Sequence, residues 1–350
     1  MVLPAKHSQT ATILANIEVR HATRPACNVS YLELNSVEVH QIRQLITNIF
    51  GVRNQIALRE FLKTAAVWGQ ELPRRVRQHL YEFKLDQSYE AVCVRGFQLD
   101  DKALGPTPNA HRSAGQVELV GRNEIIHVLC ASLLGEAFGW STIQNGYIIN
   151  DVMPLIDDIY VVSSSGSASK FDFHTEDAFH RYAGDYLGLM CFRNPDRVGT
   201  VLSNILPGDL STQTIETLFE ERYYVGANVA QEVPAVQTLS PILFGNKAFP
   251  YLRINLNNTS TQLGDEEASR ALEELKDVLN KNATVVVFEQ GDCWYIDNLR
   301  VAHGRWPFEP RFDGTDRWLK RLYLNSSFRQ VAPYKATPSA RTLYPMGVAH

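Results

Sequence analysis

The sequence predicts a mixed fold, mostly β with helices, in which a helical layer precedes a β sandwich or barrel. Three observations carry this. Apolar residues before about residue 140 recur at helical spacing. After about residue 143 the chain turns to short β-rich runs separated by turn-rich segments. Those runs mostly lack the intervening helices that a parallel βαβ sheet needs, which favours a sandwich or barrel.

The elements follow in order. Val39, Ile42, Leu45, Ile46, Ile49 and Phe50 share one helix face, Asn35 and Glu38 stand at capping-box spacing before it, and Gly51 stops it. Further helices are expected over 56–68, 73–83 and 124–138. Strands are expected over 158–163, 185–192, 200–206, 238–244, 251–255, 283–288 and 319–325. One helix, 265–281, interrupts them, with Ala268, Leu272, Leu275 and Leu279 on one face and acids in its first turn. No internal repeat or Pro/Gly-rich linker divides the chain. The expectation is a single domain over 1–350: a helical layer to about 140, a core over 141–330 with a lid at 207–235, and a tail at 331–350.

Composition narrows the function. The chain has 350 residues, 45% hydrophobic and 21% charged, unlike a disordered polymer. A net charge of −4 excludes the basic footprint of a general nucleic-acid binder. Cys27, Cys93, Cys130, Cys191 and Cys293 are scattered and form no CxxC pair, so a zinc ribbon or disulfide framework is not expected. No apolar run approaches the roughly 18–20 residues that span a bilayer, and no signal peptide is visible. A cytoplasmic protein without nucleic-acid or membrane partners is expected; a homo-oligomer is compatible with all of this.

The chemistry concentrates in 171–180, which contains His174-Thr-Glu176. In or at the end of a strand, residues two apart point to the same side, so an imidazole and a carboxylate sit ready for one metal ion. His303 is the best third ligand. Two histidines and one carboxylate leave open positions for a co-substrate and dioxygen, as in the non-haem Fe(II) facial triad. Arg317 and Arg321 follow in a strand-like run, sharing one face with Leu319, while Trp318, Lys320 and Leu322 take the other. An inward arginine needs an anion, and a dicarboxylate such as 2-oxoglutarate suits its planar fork. The alternative is internal ion pairing to Asp316 or Glu309.

The stretches 173–180, 185–196 and 303–321 together resemble the clavaminate-synthase-like branch of the Fe(II)/2-oxoglutarate-dependent oxygenases. The likeness is greatest to the free amino-acid hydroxylases of arginine, lysine and asparagine. It covers roughly residues 140–328. It implies a distorted double-stranded β-helix (jelly-roll) core. It also implies iron on His174, Glu176 and His303, 2-oxoglutarate with its distal carboxylate on Arg317 and Thr200, and dioxygen as co-substrate. Arg321 matches a position near the substrate α-carboxylate, and Gln144 one that binds the amino-acid head group. With Glu176, Asn255 and Asn257 they form the expected substrate-binding set.

One departure bears on the substrate. Where the arginine hydroxylase has two aspartates that hold the guanidinium, this sequence has Asn255 and Asn257. Amides suit a neutral polar side chain, unless a cation is held by another acid, or unless both merely cap a strand. His180 and Asp177 are expected to support the ligands or pack, Cys191 and Cys293 to be core thiols, and 163–169 to be a mobile loop. The implied reaction is hydroxylation at C3 or C4 of a free polar or basic L-amino acid, with release of succinate and CO2. The retained Glu176 argues against halogenation. Alternatives are a carrier-tethered amino acid, a desaturation, a zinc hydrolase, or a non-catalytic jelly-roll metal-binding module.

Overall fold

The computed structural model describes residues 27–227, 233 and 238–345. Two sheets face each other. The larger runs Val29–Glu33, Ala91–Arg95, Cys293–Asp297, Tyr186–Arg193, Trp318–Asn325, Glu136–Trp140 and Thr342–Leu343, with Asn150–Val152 also paired to Trp318–Asn325. The smaller runs Thr284–Val287, Gly199–Ser203, Ala302–Arg305 and Phe171–His174. Strand alternation builds the sandwich. Leu187, Leu189, Cys191 and Leu319 from the larger sheet meet Leu202, Val286 and Phe288 from the smaller in one buried cluster.

Helices cover both outer faces. Ser36–Phe50 carries the anticipated capping box: Asn35 Oδ1 accepts from Glu38 N, and Glu38 Oε2 accepts from Asn35 N. Ile42, Leu45, Ile46, Ile49 and Phe50 are buried with Met190, Phe192, Leu322 and Leu324 behind the larger sheet. Glu266–Lys281, capped by Asp265, buries Ala268, Leu275 and Leu279 over Val201 and Ala302 of the smaller. The five cysteines are buried free thiols.

Several elements differ from the sequence expectation. The first third is not only helical: Val29–Glu33 and Ala91–Arg95 pair in parallel and extend the larger sheet. Segment 56–68 is broken, because Gln55–Ala57 pairs with Leu119–Gly121 before two short helices, Leu58–Phe61 and Ala65–Gly69. The helix expected over 124–138 is Ile125–Leu134 and ends at Gly135. There the backbone approaches Asn325 so closely that a Cβ would lie 2.8 Å from its carbonyl oxygen. The chain then continues as the strand Glu136–Trp140. Segment 158–163 forms no strand; its backbone closes turns, Val161 N donating to Asp158 O and both Ser167 N and Ala168 N to Ile159 O. The serines expected in a mobile loop are tied down, with Ser163, Ser165 and Ser167 buried. Of the expected lid, 228–232 and 234–235 lie outside the described residues. Thr212–Leu218, within its first part, packs on Glu266–Lys281.

Candidate active site

A register irregularity assembles the site. His303 is paired with His174, whereas Arg305 is paired with Phe171, so Phe171–His174 carries one more residue than its neighbour. Such a bulge re-aims side chains. Here it turns both Phe171 and His174 toward the space between the sheets, while Phe173 packs outward against the helical cluster. Directly opposed residues of antiparallel strands share a face, and the two imidazoles lie with ring centroids 4.3 Å apart. Glu176 follows the strand end. Its backbone N–H donates to Asn298 Oδ1 at 2.7 Å, and Asn298 Nδ2 donates back to the carbonyls of Glu176 and Gly184.

The three side chains suit a cation. His174, Glu176 and His303 are buried, and one ligand atom from each lies within 4.8 Å of the others. His174 Nδ1 is 2.8 Å from the Asp172 carbonyl, which fixes its proton there and leaves the Nε2 lone pair free. That Nε2 is buried with no hydrogen-bond partner. Burial, with repulsion from His303, pushes the His174 imidazole down to about 3, so it is neutral at pH 7. Burial works against the Glu176 charge, but the Arg321 guanidinium and the neighbouring His303 outweigh it and hold the carboxyl well below its ordinary range. Two imidazoles and one carboxylate on a shared face form a donor set for Fe(II) with open positions.

Beside the triad lies a cationic pocket. Arg317 Nη2 donates to Thr200 Oγ1 at 3.1 Å. Arg305, two residues after His303, faces the same cavity. Both nitrogens Nη1 and Nη2 of Arg305, and Nε of Arg317, have no partner. Burial, reinforced by Arg317, pushes Arg305 down to about 9; burial pushes Arg317 down to about 10. Both remain cations at pH 7. Buried guanidinium groups without a carboxylate form a receptor for an anion. Asp316, offered as an internal partner, accepts instead from the backbone N–H groups of Arg311 and Phe312. The face assignment holds: Arg317, Leu319 and Arg321 line the cavity, while Lys320 turns away to Glu124 and Asp151.

Arg321 donates to Glu176 Oε1 at 3.2 Å. Together they also border a second cavity, which holds Gln144. The Gln144 amide exchanges hydrogen bonds with the Asp151 backbone, at 2.7 and 2.9 Å. Asn255 and Asn257 are not among the residues lining either cavity. Asn255 Nδ2 donates to the Gly226 carbonyl, and Asn257 Oδ1 accepts from Asp172 N. His180 packs against Trp140 and Tyr334. Sequence reasoning missed Arg305. The alternation that selected Arg317 and Arg321, applied from His303, reaches it.

Comparison with known proteins agrees with this geometry. The profile of the taurine catabolism dioxygenase TauD, TfdA family matches residues 201–323. The chain is 34% identical over 339 residues to an enduracididine beta-hydroxylase of Streptomyces hygroscopicus, covering 89% of this chain and 99% of that protein. It is 28% identical to an L-ornithine/L-arginine 3-hydroxylase of Catenulispora acidiphila over 89% of this chain and 99% of that one. Among solved structures, the non-heme iron oxygenase OrfP in complex with Fe and alpha-ketoglutaric acid superposes with a TM-score of 0.83 at 35% identity, covering 89% of this chain and 99% of that chain.

Proposed function

Because the chain belongs to the TauD/TfdA family of Fe(II)/2-oxoglutarate-dependent dioxygenases, we propose that it hydroxylates C3 or C4 of a free polar or basic L-amino acid. The products besides the hydroxy-amino acid are succinate and CO2. The fold is the jelly roll of that family, and the enzyme uses iron and 2-oxoglutarate. Its similarity to enzymes named as hydroxylases of enduracididine, of ornithine and arginine, and of lysine supports the substrate class.

His174, Glu176 and His303 would hold the iron. Bound there with 2-oxoglutarate, the iron supplies the dioxygen chemistry that oxidises an unactivated C–H bond. The protein's own residues position the partners. Arg317, with Thr200 fixing its guanidinium, takes the distal carboxylate of 2-oxoglutarate, and Arg305 reinforces the positive field there. Arg321 spans the metal side and the second cavity, where it meets the substrate carboxylate while still touching Glu176. Leu187, Leu189, Leu319 and Val152 wall the cavity with apolar surface that excludes water from the reacting bond.

The observation that carries the proposal is the juxtaposition of the buried triad with two buried guanidinium groups, Arg305 and Arg317, that have no carboxylate partner among the described residues. Its test is succinate formation by Fe(II)-loaded protein given 2-oxoglutarate, oxygen and single L-amino acids, with products read by mass. Substrate-dependent succinate and a product heavier by one oxygen atom are expected. No coupled turnover with any free amino acid would overturn the proposal, and a product lighter by two hydrogens would replace hydroxylation with desaturation.

A further inference from the structure

The second cavity carries a charge the reaction leaves unused. It shares Ser164, Phe171, Glu176 and Arg321 with the metal cavity, so what binds there reaches the iron ligands. It extends from them to His111, Gln144, Asp158, Ser163, Ser165 and Tyr323. Its other acid, Glu176, is engaged by Arg321. Asp158 is not so engaged: its carboxylate accepts a hydrogen bond from Ser165 Oγ, and no lysine or arginine pairs with it among the described residues. Burial pushes the neighbouring His111 imidazole down, so that ring adds no positive charge beside the carboxylate at pH 7.

A carboxylate facing a partly enclosed cavity calls for a cation. We propose that Asp158 receives the positively charged side-chain group of the substrate, which makes the substrate a cationic L-amino acid. This rests on the amino-acid hydroxylase reading above and narrows its substrate class. Asn255 and Asn257, expected where the arginine hydroxylase has two aspartates, do not weaken it. Asn255 bonds the Gly226 carbonyl and Asn257 the Asp172 backbone, and neither is among the described residues that line the two cavities. The other acid that a cation would require comes from a turn instead of the strand. Ser163 Oγ, 3.0 Å from Ser165 Oγ, adds a neutral acceptor beside it.

The test uses matched charged and neutral amino acids, L-arginine against L-citrulline and L-lysine against L-norleucine. Calorimetry measures their binding to the anaerobic Mn(II)·2-oxoglutarate protein, wild type and Asp158→Asn. The variant keeps the shape and an oxygen for Ser165, and a separate titration of 2-oxoglutarate into the Mn(II)-loaded protein reports an intact site. The wild type is expected to favour the charged member of at least one pair by about 10-fold or more. D158N should weaken that member about 10- to 100-fold and leave the neutral one within about 2-fold. Equal weakening of both members, no preference in the wild type, or binding of none of the four would overturn the proposal. Charge-selective binding without succinate formation would overturn the hydroxylase reading alone. Succinate formation with neutral amino acids preferred would overturn only the role of Asp158.

Discussion

Replacing Arg317 by methionine tests the anion receptor most directly. The change keeps length and apolar stem but removes the guanidinium that donates to Thr200 at 3.1 Å. Deleting one partner of a buried charge pair costs about 2–5 kcal/mol. Arg305 remains in the same cavity with both terminal nitrogens unpartnered and supplies residual attraction, which places the loss at the lower end. About 2–3 kcal/mol corresponds to a 30- to 150-fold weaker affinity for 2-oxoglutarate. The same structure fixes a second, opposite effect. Without 2-oxoglutarate, Arg317 is a buried cation facing Arg305 with no carboxylate to balance it, so R317M should leave the ligand-free protein at least as stable as wild type. Calorimetric titration of 2-oxoglutarate and thermal melts with and without it measure both. Unchanged affinity, or a ligand-free protein that melts well below wild type, would refute the receptor.

Three further outcomes are expected. His174→Ala and His303→Ala should each abolish stoichiometric Fe(II) binding, read by metal analysis after desalting, while circular dichroism stays that of wild type; retained iron in either would remove that residue from the ligand set. Gly304→Ala should disturb the pairing of the two metal strands, since a Cβ there would meet the Phe171 carbonyl oxygen at 2.7 Å; weaker iron binding without loss of the helical signal is expected, and wild-type affinity would argue against a register-dependent site. His127 is fully buried and held down to about 3 by desolvation, against about 6.5 unfolded. Between those values the unfolded chain binds the extra proton, so stability rises with pH, and the contribution present above pH 6.5 is lost on acidification. From pH 7 to 5 this amounts to about 2 kcal/mol, so urea unfolding of His127→Leu should be less pH-dependent than wild type by that amount, and parallel profiles would contradict it.

Features that depend on neighbours along the chain were legible in the sequence. The capping box of Ser36–Phe50 and the apolar face of Glu266–Lys281 are local, and both formed as their spacing dictates. Strand alternation was enough to sort Arg317, Leu319 and Arg321 from Trp318, Lys320 and Leu322. It also brought His174 and Glu176 forward as a pair. What the sequence could not settle depends on contacts distant along the chain. Gly135 ends a helix because Asn325 occupies the space a side chain would need. Segment 158–163 has strand-like residues but no ladder partner, so its backbone closes turns and carries Asp158 to the cavity. Asn255 and Asn257 look like specificity residues by spacing, yet their amides satisfy backbone groups at Gly226 and Asp172. The bulge opposite His303 is of the same kind. One extra residue in Phe171–His174 turns the first iron-site histidine inward, and only the register of the two paired strands decides where that residue falls.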